Sequence, residues 1–136
     1  MTVTLHSQLE KDCHLLGQVT GSTLLLHKNA LIPWFILVPD TDKNELFKLS
    51  IEHQQSVLDE INRISHFIEK HFQTDKINIA TIGNIVPQLH IHIIGRYTND
   101  FCWPNPVWGQ TGSKPYTLDK ITSIKKSLQQ SKLILK

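Results

Sequence analysis

The chain has 136 residues, of which 40% are hydrophobic and 19% charged, enough to bury the core of one domain. The formal charge is only +2 and the lysines are dispersed, so we expect no binding of long nucleic acid. The two cysteines, Cys13 and Cys102, have no CxxC or paired spacing, so neither a disulfide framework nor a thiolate zinc site is indicated, and a single disulfide between them stays an open alternative. Because no apolar run is long enough to span a membrane, we expect a soluble, cytoplasmic protein.

The first half of the chain predicts a short helix followed by two strands. Apolar residues at helical spacing predict a helix over residues 7–16, with Gly17 as its stop. The apolar runs 23–27 and 34–38 are separated by a turn-like segment and predict antiparallel strands.

The longest periodic segment begins near Ser50, a suitable N-cap, and predicts one main helix. We expect Glu60 and Arg63 to point away from its apolar face. That face is predicted to contain Val57, Leu58, Ile61, Ile64, Phe67 and Ile68.

Residues 77–82 and 88–96 predict two further strands separated by a turn. The segment 100–109 is rich in proline and tryptophan and predicts an irregular packed arm. Residues 118–128 predict a short C-terminal helix. The sequence therefore predicts an α+β fold, with an antiparallel sheet of about five strands, one main helix and short terminal helices.

A row of polar side chains lies on the last predicted strand. Because strand side chains alternate between faces, Gln88, His90 and His92 share one face and the apolar residues between them share the other. Neighbours on one face are roughly 6.5 to 7 Å apart. Two adjacent imidazoles can therefore approach the same ligand.

Imidazole serves near neutral pH as a metal ligand, a general acid or base, or a nucleophile. Gln88 is a poor zinc ligand, which disfavours a metal site unless His27 completes it. A structural role for the two histidines is a further alternative. Upstream, the Gly83-Asn84 turn could cradle phosphate oxygens with backbone and side-chain amides, although alone it could be merely a turn.

The segment Gly83–Arg96, with the sequence GNIVPQLHIHIIGR, resembles the signature of the histidine triad (HIT) family, in which three histidines alternate with hydrophobic residues. The resemblance extends over residues 24–108 and implies a single HIT-like domain over residues 1–136, in which residues 109–136 form a C-terminal arm and helix. The chain also resembles a bacterial subgroup of HIT hydrolases at Pro87-Gln88, Trp103-Pro104 and Val107-Trp108-Gly109.

The resemblance implies roles for three residues. His90 corresponds to the middle histidine of the triad, the nucleophile that forms a covalent nucleotidyl intermediate. His92 corresponds to the third histidine, which contacts the α-phosphate. Asn84, six residues before His90, is implied to contact phosphate oxygens.

The implied activity is that of a hydrolase or nucleotidyl transferase, acting at the α-phosphate of nucleoside phosphoramidates or dinucleoside polyphosphates. We expect a homodimer that needs no cofactor, because a neutral imidazole already presents a lone pair, although Mg²⁺ could accompany a polyphosphate. Asn29 is the candidate for contacting the ribose, with His27 and Lys28 as competitors.

The chain departs from the family pattern at two positions. Gln88 replaces the first triad histidine, which usually orients the nucleophile, although glutamine can still form such a hydrogen bond. Ile85 replaces a small hydroxyl residue. Each loss could lower the rate by about 10- to 10³-fold, so the alternative function is a nucleotide-binding module with weak or no turnover.

Several bulky side chains near the motif have more than one interpretation. Trp103 and Trp108 could stack on a base or close over the pocket, or they could simply pack the arm. We expect Trp34 to lie in the core or a dimer interface. Arg96 could meet a phosphate or a partner, or form a surface salt bridge.

Overall fold

The computed structural model describes residues 3–135; the ends of the predicted domain, residues 1, 2 and 136, lie outside this range. The elements are α1 (Ser7–Asp12), β1 (Cys13–Val19), β2 (Ser22–His27), β3 (Trp34–Pro39), a single 3-10 turn (Leu46–Lys48), α2 (Ile51–Phe72), β4 (Lys76–Ala80), β5 (Ile91–Arg96) and α3 (Leu118–Gln130). The strands form one antiparallel sheet of five, in the order β1-β2-β3-β5-β4. The predicted α+β class, with one main helix and short terminal helices, is confirmed.

The predicted helix over residues 7–16 is correct only as far as Asp12, because Cys13 begins β1. The pairing of β1 with β2 shifts register between Leu15 and Gly17, which is a β-bulge. With this extra residue, Cys13, Leu16 and Val19 are all buried although they recur at every third position. The bulge therefore gives the strand a burial period that resembles a helix.

The main helix, α2, begins where the sequence predicts. The Ser50 hydroxyl accepts a hydrogen bond from the backbone N–H of His53 at 3.1 Å and caps the helix. The helix ends at Phe72, and the next residue, Gln73, has a left-handed φ of 55°. Its apolar face is as predicted except for Leu58, which is 56% exposed.

The expectation that Glu60 points away from the buried face of α2 is wrong, since only 2% of this residue is exposed. Its carboxylate accepts hydrogen bonds from the Thr20 hydroxyl at 2.8 Å, the Gly21 N–H at 3.0 Å and the Ser22 hydroxyl at 2.6 Å. These donors belong to the β1–β2 turn, so Glu60 ties that turn to the helix. Three donors offset the cost of burying the carboxylate.

The two faces of the sheet are covered by different parts of the chain. On the helix face, sheet residues pack against α2 and α3; this cluster includes Leu24, Leu26, Phe35, Leu37, Ile91, Ile93, Val57, Ile61, Ile64, Ile68, Ile124 and Leu128. On the opposite face, which we call the pocket face, sheet residues pack against α1 and the arm; this cluster includes Leu25, Trp34, Ile36, Val38, Ile94, Leu9, Cys102 and Val107. The strict alternation along β5 was predicted, although the strand starts at Ile91 rather than residue 88.

A buried ion pair anchors the arm to the end of β5. Arg96 donates to Asp100 through Nε at 2.8 Å and Nη2 at 3.1 Å, and both side chains are almost fully buried. Burial alone would raise the pKa of Asp100, but hydrogen bonds from Arg96 and from the N–H groups of Tyr97 and Cys102 leave it lowered. Arg96 also lies 5.4 Å from the Trp103 ring centroid. The salt bridge of Arg96 is therefore internal, not on the surface.

Within residues 3–135, no helix combines the length and the apolar character needed to cross a lipid bilayer.

Candidate active site

A cavity of about 410 Å³ opens on the pocket face, and we call it the histidine pocket. Its lining comes from the sheet (His27, Trp34, Ile36 and His92), the chain just before β5 (His90), α1 and its end (Gln8, Leu9, Asp12 and Cys13), the loop Ile82–Val86, and the arm (Trp108). Two histidines from the predicted motif thus meet in one cavity with the predicted phosphate-contacting turn.

A larger groove, of about 830 Å³, lies between α2 and α3 and includes His66 and His71. Volume alone does not identify a reaction site, which needs polar groups that converge in a defined geometry. The imidazole of His71 stacks on Phe67, and His66 is exposed. We therefore place the candidate site in the smaller cavity.

The hydrogen bond made by His90 fixes which of its ring nitrogens is free. His90 Nδ1 lies 2.7 Å from the main-chain carbonyl oxygen of Gln88. A carbonyl can only accept, so Nδ1 must carry the proton. In the neutral ring, Nε2 then holds an unshared lone pair on a side chain that lines the pocket. This is the form required of a nitrogen nucleophile.

His92 is held in the opposite tautomer. The indole Nε1–H of Trp34 donates to His92 Nδ1 at 3.0 Å. Because an indole N–H can only donate, Nδ1 accepts and the proton of the neutral ring lies on Nε2. Burial, followed by the nearby His90 and His27, lowers the pKa of His92 to about 3. His92 is therefore a neutral hydrogen-bond donor at neutral pH.

Aromatic rings surround this donor. Trp34 stacks on His27, with ring centroids 4.0 Å apart and planes inclined by 10°. The ring of Trp108 meets His92 edge-on, with centroids 4.9 Å apart, while His90 and His92 are 5.0 Å apart. Of the two tryptophans of the arm, Trp108 lines the pocket, whereas Trp103 packs on Arg96. Trp34, predicted for the core or an interface, is buried but also part of the site.

Gln88 is close to His90 through its backbone but not through its side chain. The side-chain amide instead bonds to backbone atoms of Thr4 and His6. The suggestion that the glutamine side chain orients His90 is therefore not supported by these contacts, and the main-chain carbonyl provides that bond. The alternation of side chains along a strand did not place the Gln88 side chain correctly, because residues 88–90 lie before β5 and not on it.

The three candidates for the ribose-contacting position lie in different places, and Lys28 is exposed and outside the pocket lining. Asn29 is 8% exposed, and its side chain bonds to Gly112 O at 3.2 Å and the Lys114 N–H at 3.3 Å. Asn29 thus joins the loop between β2 and β3 to residues 112–114, and it is not among the residues that line the histidine pocket. His27 does line it, and burial, partly offset by Asp12, lowers the pKa of His27. His27 is thus the candidate that lines the pocket, and the ribose contact itself stays a prediction.

Gly83 and Asn84 both lie in the pocket wall, as the predicted phosphate contacts require. Gly83 has φ +68°, a left-handed conformation that glycine adopts without strain. Asn84 is exposed, so its amide is accessible to a ligand. Ile85 beside it is 89% exposed.

The contribution of α1 to the pocket was missed from the sequence. Gln8 and Asp12 line the cavity, and Gln8 Nε2 donates to Asp12 Oδ2 at 2.9 Å. No local motif marks these residues, since only the folded chain brings them to β5. Cys13 also lines the pocket, but burial followed by the charge of Asp12 raises its pKa to about 12. The thiol is therefore protonated at neutral pH and a weak nucleophile.

Among residues 3–135, there is no cluster of three or more His, Cys, Asp or Glu side chains arranged to hold a metal ion.

The fold and the paired histidines define a class of protein, the histidine triad proteins. The chain matches the family model for the HIT domain over residues 8–99. This match spans more than half of the chain, and the protein belongs to the HIT domain family.

Solved structures give the same assignment. A histidine triad protein from Marinobacter aquaeolei is 40% identical, with 98% of this chain and 99% of that chain covered and a TM-score of 0.90. One from Bradyrhizobium japonicum is 37% identical, with 96% and 98% covered and a TM-score of 0.90. A diadenosine triphosphate hydrolase from Plasmodium falciparum has a TM-score of 0.59 at 18% identity, over 93% and 78% of the chains, which shows a shared fold alone. No curated protein sequence matches the chain significantly.

Proposed function

We propose that this protein is a nucleotide hydrolase or nucleotidyl transferase that cleaves at the α-phosphate through a covalent intermediate on His90. The observation that carries the proposal is that His90 Nδ1 lies against an acceptor and His92 Nδ1 against a donor, which assigns opposite tautomers to the two rings. His90 presents a lone pair to the pocket and His92 presents an N–H, because their Nδ1 atoms bond to an acceptor and a donor, respectively.

In the first step, the lone pair of His90 Nε2 forms a bond to the α-phosphorus. The bond from phosphorus to the leaving group breaks, and the leaving group departs with its electron pair; the amine of a phosphoramidate takes up one proton from solvent as it departs. The imidazole becomes positively charged, and its Nδ1–H remains bonded to the Gln88 carbonyl, which stabilises that charge. His92 Nε2–H and the Asn84 amide stabilise the charge on the phosphate oxygens.

In the second step, water forms a new bond to phosphorus. The bond between phosphorus and Nε2 breaks and returns its electron pair to His90, while one proton passes to solvent. A nucleoside monophosphate is released. These two steps use no metal ion. A Mg²⁺ ion that arrives with a polyphosphate would find the Asp12 carboxylate in the pocket wall.

For the substrate, we propose a nucleoside phosphoramidate or a dinucleoside polyphosphate. The cavity of about 410 Å³ falls in the size range of small-molecule sites. The fold is shared with the P. falciparum protein named a diadenosine triphosphate hydrolase. We place the ribose near His27, which lines the pocket. A homodimer and a cytoplasmic location stay predictions.

The proposal is tested by incubating the protein with adenosine phosphoramidate and with diadenosine polyphosphates and measuring AMP release. His90→Ala should lower the rate at least about 10⁴-fold, since it removes the nucleophile. His66→Ala, which removes an exposed histidine of α2, is the matched control and should leave the rate unchanged. Equal activity in wild type and His90→Ala would contradict the proposal.

A second candidate function is a nucleotide-binding module with little turnover. It is favoured by Ile85, which is 89% exposed beside Asn84 and offers no hydroxyl to a phosphate or leaving group. This function predicts that AMP binds in a calorimetric titration while phosphoramidates and dinucleoside polyphosphates remain intact. Measuring binding and turnover on the same preparation separates the two functions.

A further inference from the structure

The side-chain amide of Gln88 binds an extended segment near the N-terminus. Gln88 Oε1 accepts from the backbone N–H of His6 at 2.8 Å, and Gln88 Nε2 donates to the carbonyl oxygen of Thr4 at 3.0 Å. A primary amide has an acceptor and donors at the same end. It therefore satisfies two backbone groups of one segment simultaneously, as a neighbouring strand would.

The bound segment leads directly into a wall of the histidine pocket. His6 Nδ1 accepts from the backbone N–H of Gln8 at 3.0 Å and caps α1. Leu9 is 4% exposed and packs into the pocket-face cluster, while Gln8 and Asp12 line the cavity. The position of residues 4–6 thus determines where this wall begins.

We propose that Gln88 is a positioning residue that clamps residues 4–6 and thereby holds the α1 wall of the histidine pocket. This inference rests on the proposed function for its kinetic consequence. The clamp acts on substrate affinity, and the orientation of His90 depends on the main-chain carbonyl of Gln88, which a side-chain change retains. An imidazole at this position would not replace the clamp, because its two ring nitrogens point in diverging directions.

The clamp can be opened from either side. Gln88→Ala removes both hydrogen bonds, and Thr4→Ala is its control, because the Thr4 carbonyl remains. His6→Pro removes the N–H that Gln88 accepts, and the His6 φ of −57° suits proline. His6→Ala is the control for this variant, since both lose the capping imidazole and only His6→Pro loses the clamping N–H.

Two measurements test the clamp, and only one requires turnover. Hydrogen exchange followed by mass spectrometry should show faster exchange in residues 4–12 for Gln88→Ala than for Thr4→Ala, and for His6→Pro than for His6→Ala. With adenosine phosphoramidate, KM should rise about 3- to 30-fold in both clamp variants, the effect of losing one or two hydrogen bonds. Their kcat should stay within about threefold of that of the matched control.

A tenfold gain in kcat for Gln88→His, or a tenfold loss for Gln88→Ala at constant KM, would overturn the inference, because the side chain would then act on His90. Unchanged exchange in residues 4–12 would overturn it as well, and so would faster exchange with an unchanged KM. If the wild-type protein has no turnover, the proposed function fails. The exchange comparison and the Kd for AMP then still decide whether the clamp holds the pocket wall.

Discussion

The two faces of the sheet are built on different principles. On the helix face, the cluster consists of apolar side chains, and burial of hydrocarbon stabilises it. On the pocket face, apolar residues surround polar groups that are themselves buried, including His90, His92 and Arg96. Each of these three has a hydrogen-bond partner. Apart from Glu60, which bonds to the β1–β2 turn, the helix face is therefore held by packing, whereas the pocket face depends on directional bonds that also define the chemistry.

Two neighbouring residues of β5 illustrate the difference between the two faces of the sheet. Ile93 is fully buried in the helix-face cluster. His92, one residue earlier and on the opposite side, is 7% exposed and bonded to Trp34. We therefore expect substitutions on the helix face to change the free energy of unfolding, and substitutions of the pocket histidines and their partners to change the rate.

On the pocket face, we expect the largest loss of stability when the ion pair that anchors the arm is broken. Asp100→Ala should lower the free energy of unfolding by about 3 to 5 kcal/mol, since it leaves the Arg96 guanidinium buried without its counter-ion. Chemical denaturation measures this loss. Asp59→Ala is the matched control: it breaks an Arg–Asp pair of the same i,i+4 spacing, with Arg63, that is largely exposed. It should cost about 0.5 kcal/mol or less.

The same pair predicts a dependence on pH. The pKa of Asp100 is lowered in the folded protein. Its contribution is therefore complete above the unfolded value of about 3.9 and is lost as the pH falls through the folded value. The difference between wild type and Asp100→Ala should shrink below about pH 4. A constant difference down to the acid transition would contradict the role given to this carboxylate.

On the helix face, Ile64→Ala should lower the free energy of unfolding by about 2 to 4 kcal/mol, because Ile64 is fully buried and the change leaves a cavity. The kcat of the folded protein should not change. Leu58→Ala, on the same helix but at a residue that is 56% exposed, should cost under about 0.5 kcal/mol. A large loss of kcat in folded Ile64→Ala would break the distinction between the faces.

On the pocket face, Trp34→Phe should lower kcat about 10- to 100-fold and preserve the fold. The variant keeps an aromatic ring against His27 but loses the donor to His92 Nδ1, so His92 can adopt the tautomer that turns a lone pair towards the phosphate. Trp103→Phe is the control, because that ring packs on Arg96 outside the pocket. It should leave kcat within about twofold.

The pH profile of Trp34→Phe sharpens this test. Burial, with His90 and His27 nearby, lowers the pKa of His92 to about 3. The imidazole is thus neutral from about pH 5 to 9, and the ratio of variant to wild-type kcat should be flat over this range. If the kcat of Trp34→Phe recovered at acid pH, protonated His92 would be the hydrogen-bond donor to the phosphate. That result would contradict the neutral donor inferred for His92 in the wild type.

The sequence predicted the features that depend on local periodicity. The cap at Ser50, the start of α2 and the alternation of side chains between the two faces along β5 all follow from short-range patterns. Strand β1 was misassigned because its bulge at residues 15–17 changes the period of burial. Glu60 was misplaced because its partners in the β1–β2 turn are 38 to 40 residues away in sequence.

The sequence predicted which residues lie together at the centre of the histidine pocket, but not which residues surround them. His90 and His92 meet in one pocket with Asn84 because all three lie on one short stretch of chain. Trp34 is 58 residues from His92, and Gln88 is 82 residues from His6. No local pattern reports contacts at this separation. The residues that fix the tautomer of His92 and hold the wall of the histidine pocket could therefore be identified only from the folded structure.

The separate roles of His90 as nucleophile and His92 as hydrogen-bond donor are tested most directly by their tautomers. A two-bond ¹H–¹⁵N correlation spectrum of protein labelled with ¹⁵N-histidine, recorded at neutral pH, reports which ring nitrogen carries the proton. His90→Gln and His92→Gln variants assign the two signals. We predict a proton on Nδ1 of His90 and on Nε2 of His92. The same tautomer in both rings, or a doubly protonated His92, would contradict the account.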